Sequence, residues 1–154
     1  MGLDMYLSKR TYVKNWEHNG PDRQNKITVK TGDKYNASIK TNRISDIIEE
    51  VMYWRKANAI HAWFVENVQE GVDDCKEYWV GVDKLKELID LCSKVVETKD
   101  ASLLPPQAGF FFGSQRVDDW YFIDLADTIK TLTEDLEHHI NTNAKGDYYY
   151  QSSW

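Results

Sequence analysis

Between Tyr53 and Phe64 the chain reads Tyr-Trp-Arg-Lys-Ala-Asn-Ala-Ile-His-Ala-Trp-Phe, which places two cations, a side-chain amide, an imidazole and four aromatics within twelve residues. Arg55 carries a planar fork that matches phosphate or carboxylate, and Lys56 beside it is a second point charge. Asn58 supplies donors and an acceptor, and Trp54 a flat surface for stacking. His61 is the one histidine in a chemically rich setting. As a general acid or base it needs a carboxylate to orient it, and Asp4, Asp73, Asp74 and Asp119 are the candidates. The alternative for His61 is a structural histidine whose ring nitrogens are satisfied or solvated. The sequence holds no Walker loop, Gly-x-Gly-x-x-Gly, His-Glu-x-x-His or Gly-x-Ser-x-Gly pattern, so no reaction is written in it and no cofactor is expected.

Positioning these groups requires regular elements. As a helix, the stretch aligns Tyr53, Ala57, Ile60, Phe64 and Val68 in one apolar stripe, with Trp54, Asn58 and His61 on the neighbouring one. Adjacent residues diverge on a helix, so only one of Arg55 and Lys56 is expected to face a ligand. Gly71 is the expected stop. Upstream, Ser45 or Asp46 caps a helix bearing Ile47, Ile48, Val51 and Met52, and a strand running to Trp54 is the competing reading.

Leu3, Met5 and Leu7 alternate with Gly2, Asp4 and Tyr6, the pattern of a strand with one buried face. Asp4 then either faces water or is held by a partner. The basic, Asn-rich segment from Lys9 to Lys40 contains a candidate hairpin around Thr31-Gly32-Asp33-Lys34. Residues 77–82 read as a strand. Asp83 opens an amphipathic helix with Leu85, Leu88, Ile89, Cys92, Val95 and Val96 on its apolar face. Asp118 or Asp119 caps a last helix with a core stripe of Phe122, Leu125, Ala126, Ile129, Leu132, Leu136 and Ile140. His138 and His139 diverge on that helix and make a poor metal pair. The Tyr-rich end, 147–154, reads as a docked terminal strand.

Pro105-Pro106-Gln107-Ala108-Gly109-Phe110-Phe111-Phe112-Gly113-Ser114 is the second unusual stretch. It is either a short buried strand or a loop. In the loop, Gly109 and Gly113 would let backbone approach a ligand walled by Phe112 and its neighbours.

The totals bound the function. At 154 residues the chain is one domain, able to build a core without metal or disulfide staples. A net charge of −6 argues against general binding to nucleic-acid backbones, while leaving room for a local basic pocket. Aromatics reach 13%, several beside Gly, Ser, Asn or Asp, which suits flat ligands and protein interfaces alike. Cys75 and Cys92 lack metal-site spacing and read as free thiols, and no metal site is indicated. No apolar run approaches a membrane span, and no signal peptide opens the chain, so a cytoplasmic location is expected.

Several of these pieces together resemble a family of short, uncharacterised phage and prophage proteins. The matching segments are Gly-Leu-Asp-Met-Tyr-Leu at 2–7, Tyr-Trp-Arg-Lys-Ala-Asn-Ala-Ile-His-Ala-Trp-Phe-Val at 53–65 and Asp-Asp-Cys at 73–75. Gly-Phe-Phe-Phe-Gly-Ser at 109–114, Asp-Trp-Tyr at 119–121 and Tyr-Gln-Ser-Ser-Trp at 150–154 complete the set. The resemblance implies a host-cell cytoplasmic setting, with capture of a nucleotide signal of host defence, or nucleotide metabolism, as the associated roles.

The expected fold is a single α+β domain, an antiparallel sheet covered by two or three helices. The expected function is binding of a small anionic, flat ligand such as a nucleotide or its derivative. The expected site is one concavity gathering Asp4, Trp54, Arg55, Asn58, His61, Phe112, Ser114 and Tyr121. An enzyme using His61 on a similar ligand is the first alternative. The second is an interaction module whose aromatic surface meets a host protein, and a homo-oligomer is a further expected partnership.

Overall fold

A computed structural model describes residues 2–154. Its frame is a four-stranded antiparallel sheet in the order β4-β1-β6-β5, formed by β1 (Asp4–Tyr12), β4 (Asp46–Arg55), β5 (Tyr78–Val80) and β6 (Asp147–Ser153). A separate two-stranded ribbon joins β2 (Lys30–Thr31) to β3 (Lys34–Tyr35), turning at Gly32 with φ +62°. Helices α1 (Asn58–Asn67), α2 (Val82–Thr98) and α3 (Asp119–Asn141) complete the α+β domain. None of them is long and apolar enough to cross a membrane.

The alternation at the N-terminus makes β1 the centre of the sheet. Met5, Leu7 and Lys9 point to the buried face, while Tyr6 and Tyr12 stay exposed. Each fully buried Leu or Met stabilises by roughly 1.5–3 kcal/mol, so this face fixes the register. Lys9 is tolerated there because its ammonium lies 3.5 Å from Asp135 and 5.1 Å from the centre of the Tyr148 ring. Gly146 makes room for it: a Cβ at that position would sit 2.8 Å from Lys9 Cγ.

The segment 45–54 is a strand, not a helix. Its β-branched Ile47, Ile48 and Val51 suit a sheet, and pairing from Tyr12↔Asp46 to Asp4↔Arg55 satisfies its backbone along one side. As an edge strand it leaves Ile47 and Ile48 exposed. The expected long helix therefore shrinks. Tyr53 and Trp54 belong to β4, Lys56 turns the chain in the left-handed region (φ +57°), and α1 starts only at Asn58. Gly71 still serves the helix end. At φ +80° it returns its N–H to the Val65 carbonyl, although α1 itself stops at Asn67.

α2 buries Leu85, Leu88, Cys92 and Val95, and ends at Lys99 in the left-handed conformation. On α3 the buried residues are Tyr121, Leu125, Thr128, Leu132 and Leu136. The stripe is thus rotated from the expected one: Phe122 and Ile129 are half-buried, while Ala126 and Ile140 are exposed. The cause is a polar contact inside the core. The Trp54 indole donates to Thr128 Oγ1 at 2.8 Å, and Thr128 donates in turn to the Asp124 carbonyl at 2.6 Å. A buried indole N–H needs such an acceptor, and this one sets the face α3 turns inward.

Candidate functional site

The strand-to-helix turn at Lys56 and Ala57 opens onto a cavity of about 300 Å³, walled on its far side by the first turns of α3 and by residues 114–118. Arg55, Lys56 and Arg116 are its cations, Asp118 and Asp124 its carboxylates, and Trp120 its largest exposed ring. Among the described residues, none of the three cations is engaged in an ion pair.

Two helix N-termini border this cavity, and they differ. Asp118 caps α3 by accepting the Tyr121 N–H at 3.2 Å. Ala57, at the head of α1, offers no side chain to cap it, and residues 57–60 line the cavity. The first-turn amides of a helix have no intrahelical partners, and the helix dipole makes that end attractive to anions. The geometry can therefore receive an anion between the α1 terminus and the cations. Lys56 is held in a conformation costly for a residue with a Cβ, of order 1–3 kcal/mol. Its stem lies beside Gly2 and Gly113, where an added Cβ would come within 3.0 Å of it.

Asp124 gives the cavity a second character. Burial, reinforced by Asp127 and Asp118, raises its carboxyl to about 6. Just below neutral pH it begins to take up a proton and becomes able to donate a hydrogen bond.

Of the eight sequence-predicted residues, four line this cavity: Arg55, Asn58, Ser114 and Tyr121. Arg55 is the one charged group among them, and it forms no ion pair among the described residues. Asn58, 4% exposed, donates to the carbonyls of Phe112 (3.0 Å) and Ser114 (2.9 Å) and accepts from the Gln107 N–H (2.9 Å). It staples the 106–114 loop and has no donor left for an anion. The Ser114 hydroxyl accepts the Arg116 N–H, and the Tyr121 hydroxyl donates to the Leu104 carbonyl at 2.7 Å. Burial pushes that phenol up to about 12.

The other four lie elsewhere. Asp4 is held on the open side of the sheet by a hydrogen bond from the Tyr53 hydroxyl. Trp54 is in the core, 3% exposed. His61 and Phe112 lie on the far side of the 106–114 loop, next to a second cavity of about 390 Å³. The expected single concavity is two cavities that share one loop.

His61 is fully buried, with Nδ1 2.7 Å from the Tyr150 hydroxyl and Nε2 2.9 Å from Asp73 Oδ2. Among the described residues the Tyr150 hydroxyl has no other partner, so its proton points to Nδ1, and Nε2 donates to Asp73. Asp73 is one of the four orienting carboxylates foreseen for this ring. Burial, and then Asp73, hold the Tyr150 phenol well above its ordinary range. The relay resembles a catalytic triad in composition, but neither His61 nor Tyr150 reaches solvent. It locks α1 to β6, where Phe64 stacks on Tyr150 at 3.9 Å.

The phenylalanine run is a loop. Its glycines serve protein packing: a Cβ on Gly109 would lie 2.5 Å from the Phe112 ring, and Gly113 (φ +84°) leaves space for the Lys56 stem. The thiols are both free, Cys92 buried and raised to about 12 by desolvation, and Cys75 half-buried. Among the described residues no group of side chains is arranged to hold a metal. Sequence reasoning missed Arg116, Trp120 and Asp124, and it admitted Lys56 only as an alternative to Arg55. The signal for Arg116 and Trp120 was their place on either side of the Asp118 cap, where a helix entrance exposes its first turn. Compared with family models, curated proteins and solved structures, the chain matches none of them.

Proposed function

We propose that this protein binds a small anionic ligand carrying a flat ring, with a nucleotide or nucleotide-derived signal as the class that fits best. The observation that carries the reading is the uncapped N-terminus of α1 opening onto the same cavity as Arg55, Lys56 and Arg116. An anion there would gain from the helix dipole and from three cations that, among the described residues, form no ion pair. Trp120, 74% exposed, offers its face to a base. Asp124, protonated or not, offers a hydrogen-bonding edge. The cavity volume suits a ligand of nucleoside size.

Binding without turnover is favoured over catalysis. The one histidine with catalytic company is sealed from solvent, with both ring nitrogens occupied. In the phage setting implied by the resemblance, such a binder would withdraw a nucleotide messenger from host defence.

The test is to release small molecules by heating freshly purified protein, identify them by mass spectrometry, and titrate nucleoside monophosphates back by calorimetry. The reading expects a phosphate-bearing ligand recovered chemically intact, with affinity reduced about three- to tenfold in Arg116→Ala, an exposed cation like Arg55. No heat from any nucleotide at millimolar concentration, or equal affinity in the variant, contradicts it.

A second reading, an interaction module, is favoured by the excursion between β1 and β4. Residues 13–45 carry seven Lys/Arg against three Asp/Glu in a chain of net charge −6, and only Val13 among them is buried. Pull-down from host lysate with and without this segment separates that role from ligand binding.

A further inference from the structure

The second cavity, across the 106–114 loop from the anion site, differs in chemistry. Its walls are Phe110, Phe111, Phe112 and Trp154, and Asp73 is the charged residue that lines it. The rings meet at steep angles: Phe110 and Phe111 at 87° with centres 4.8 Å apart, Phe112 and Trp154 at 72° and 6.2 Å. Asp73 is fixed in place. Its Oδ2 accepts from His61 Nε2, and its Oδ1 accepts from the Trp154 indole at 3.0 Å.

The charge balance decides what this cavity suits. Both Asp73 oxygens accept hydrogen bonds, Oδ2 from His61 Nε2 and Oδ1 from the Trp154 indole. Neighbouring Asp74 is countered by Lys76 at 3.2 Å. Among the described residues, no Lys or Arg pairs with Asp73. Phe110 is 94% exposed and Trp154 46%, so two large apolar rings stand open to solvent beside a negative charge. An aromatic face is electronegative, and rings set at angles around a carboxylate attract a weakly hydrated cation. An anion would be repelled, and a neutral apolar guest would waste the carboxylate.

We propose that this cavity is a binding site for a small organic ammonium ion, quaternary or heavily alkylated, held by the four rings and Asp73. The site is separate from the anion cavity and does not depend on it. His61 and Tyr150 are positioning residues for it: they hold Asp73 at the cavity wall.

The experiment titrates the full chain with choline and with its neutral isostere 3,3-dimethylbutan-1-ol. The reporter is the Trp154 indole N–H resonance, assigned with Trp154→Phe, and Trp120 serves as the internal control. Choline is expected to move the Trp154 resonance saturably and leave Trp120 in place. The alcohol should bind at least about fivefold more weakly. Phe110→Ala, at an exposed position that the fold does not need, should weaken choline binding by roughly twofold or more. Asp73→Asn, checked for retained folding by its melting temperature, should abolish the preference for the cation. Equal binding of choline and the alcohol overturns the proposal, as does the absence of a Trp154 shift at tens of millimolar choline. An unaltered affinity in folded Phe110→Ala overturns it as well.

Discussion

Asn58→Ala tests whether this residue builds the site or reads the ligand. The side chain makes three hydrogen bonds to the 106–114 loop, between 2.9 and 3.0 Å, at a position 4% exposed. Each such bond contributes about 0.5–1.5 kcal/mol net, which gives about 3 kcal/mol if all three are lost without replacement. Gln107 and Ser114 are exposed and can rehydrate, whereas the Phe112 segment is half-buried, so a loss of about 2–3 kcal/mol is expected. In a domain of this size that lowers the melting temperature by roughly 5–10 °C. The assay is thermal unfolding of the ligand-free protein, joined to amide hydrogen exchange over residues 107–114. The loop should lose protection while α2 keeps its own, since stability is lost locally first. Both cavities should weaken, because both are walled by this loop. An unchanged melting temperature and unchanged loop protection, with only the anion affinity reduced, would mean that Asn58 touches the ligand and that its role in holding the loop has been misread.

Arg55→Ala should weaken anion binding modestly, by about 0.5–1.5 kcal/mol, because the side chain is exposed and screened by salt; calorimetry at two ionic strengths checks it. Lys56→Gly should keep or raise stability by relieving the left-handed strain while reducing anion affinity, and a large drop in melting temperature would contradict that. The raised Asp124 carboxyl favours the folded state when protonated, so its contribution is full below about pH 4 and lost as pH rises through about 6. Asp124→Asn should therefore gain stability on the wild type across that window, by on the order of 1–2 kcal/mol after allowance for partial solvent screening, measured by urea unfolding at pH 4 and pH 7. His61→Ala should cost about 2–4 kcal/mol, leaving the Tyr150 hydroxyl and Asp73 without their partner, with the loss read from the same unfolding curves.

The parts of this fold legible in the sequence were those where one period dominates. Leu3, Met5 and Leu7 fixed a strand, and Leu85, Leu88, Cys92 and Val95 fixed a helix, since alternate or 3.6-residue burial leaves few other solutions. The stretch 45–54 was ambiguous because an edge strand exposes one side. Ile47 and Ile48 face solvent, which erases the alternation a buried strand would show. Once Tyr53 and Trp54 joined that strand, the polar stripe drawn through Trp54, Asn58 and His61 came apart. Trp54 went to Thr128, Asn58 to the loop and His61 to Asp73. Sequence chemistry thus marked the neighbourhood but not the division of labour, because polar groups near a site are spent on holding it as readily as on reading a ligand. Arg116 and Trp120 were missed for another reason: their place beside the Asp118 cap marks an exposed helix entrance, but nothing in their local pattern says that this turn faces the head of α1.

The most direct measurement is an amide-resolved NMR titration of the full chain with a nucleoside monophosphate. The account predicts saturable shifts at the Ala59 and Ile60 amides, the Arg116 amide and the Trp120 indole, with Trp154 unmoved. Shifts centred on Trp154 and Asp73, or none at any of these groups at millimolar ligand, would contradict an anion site at the head of α1.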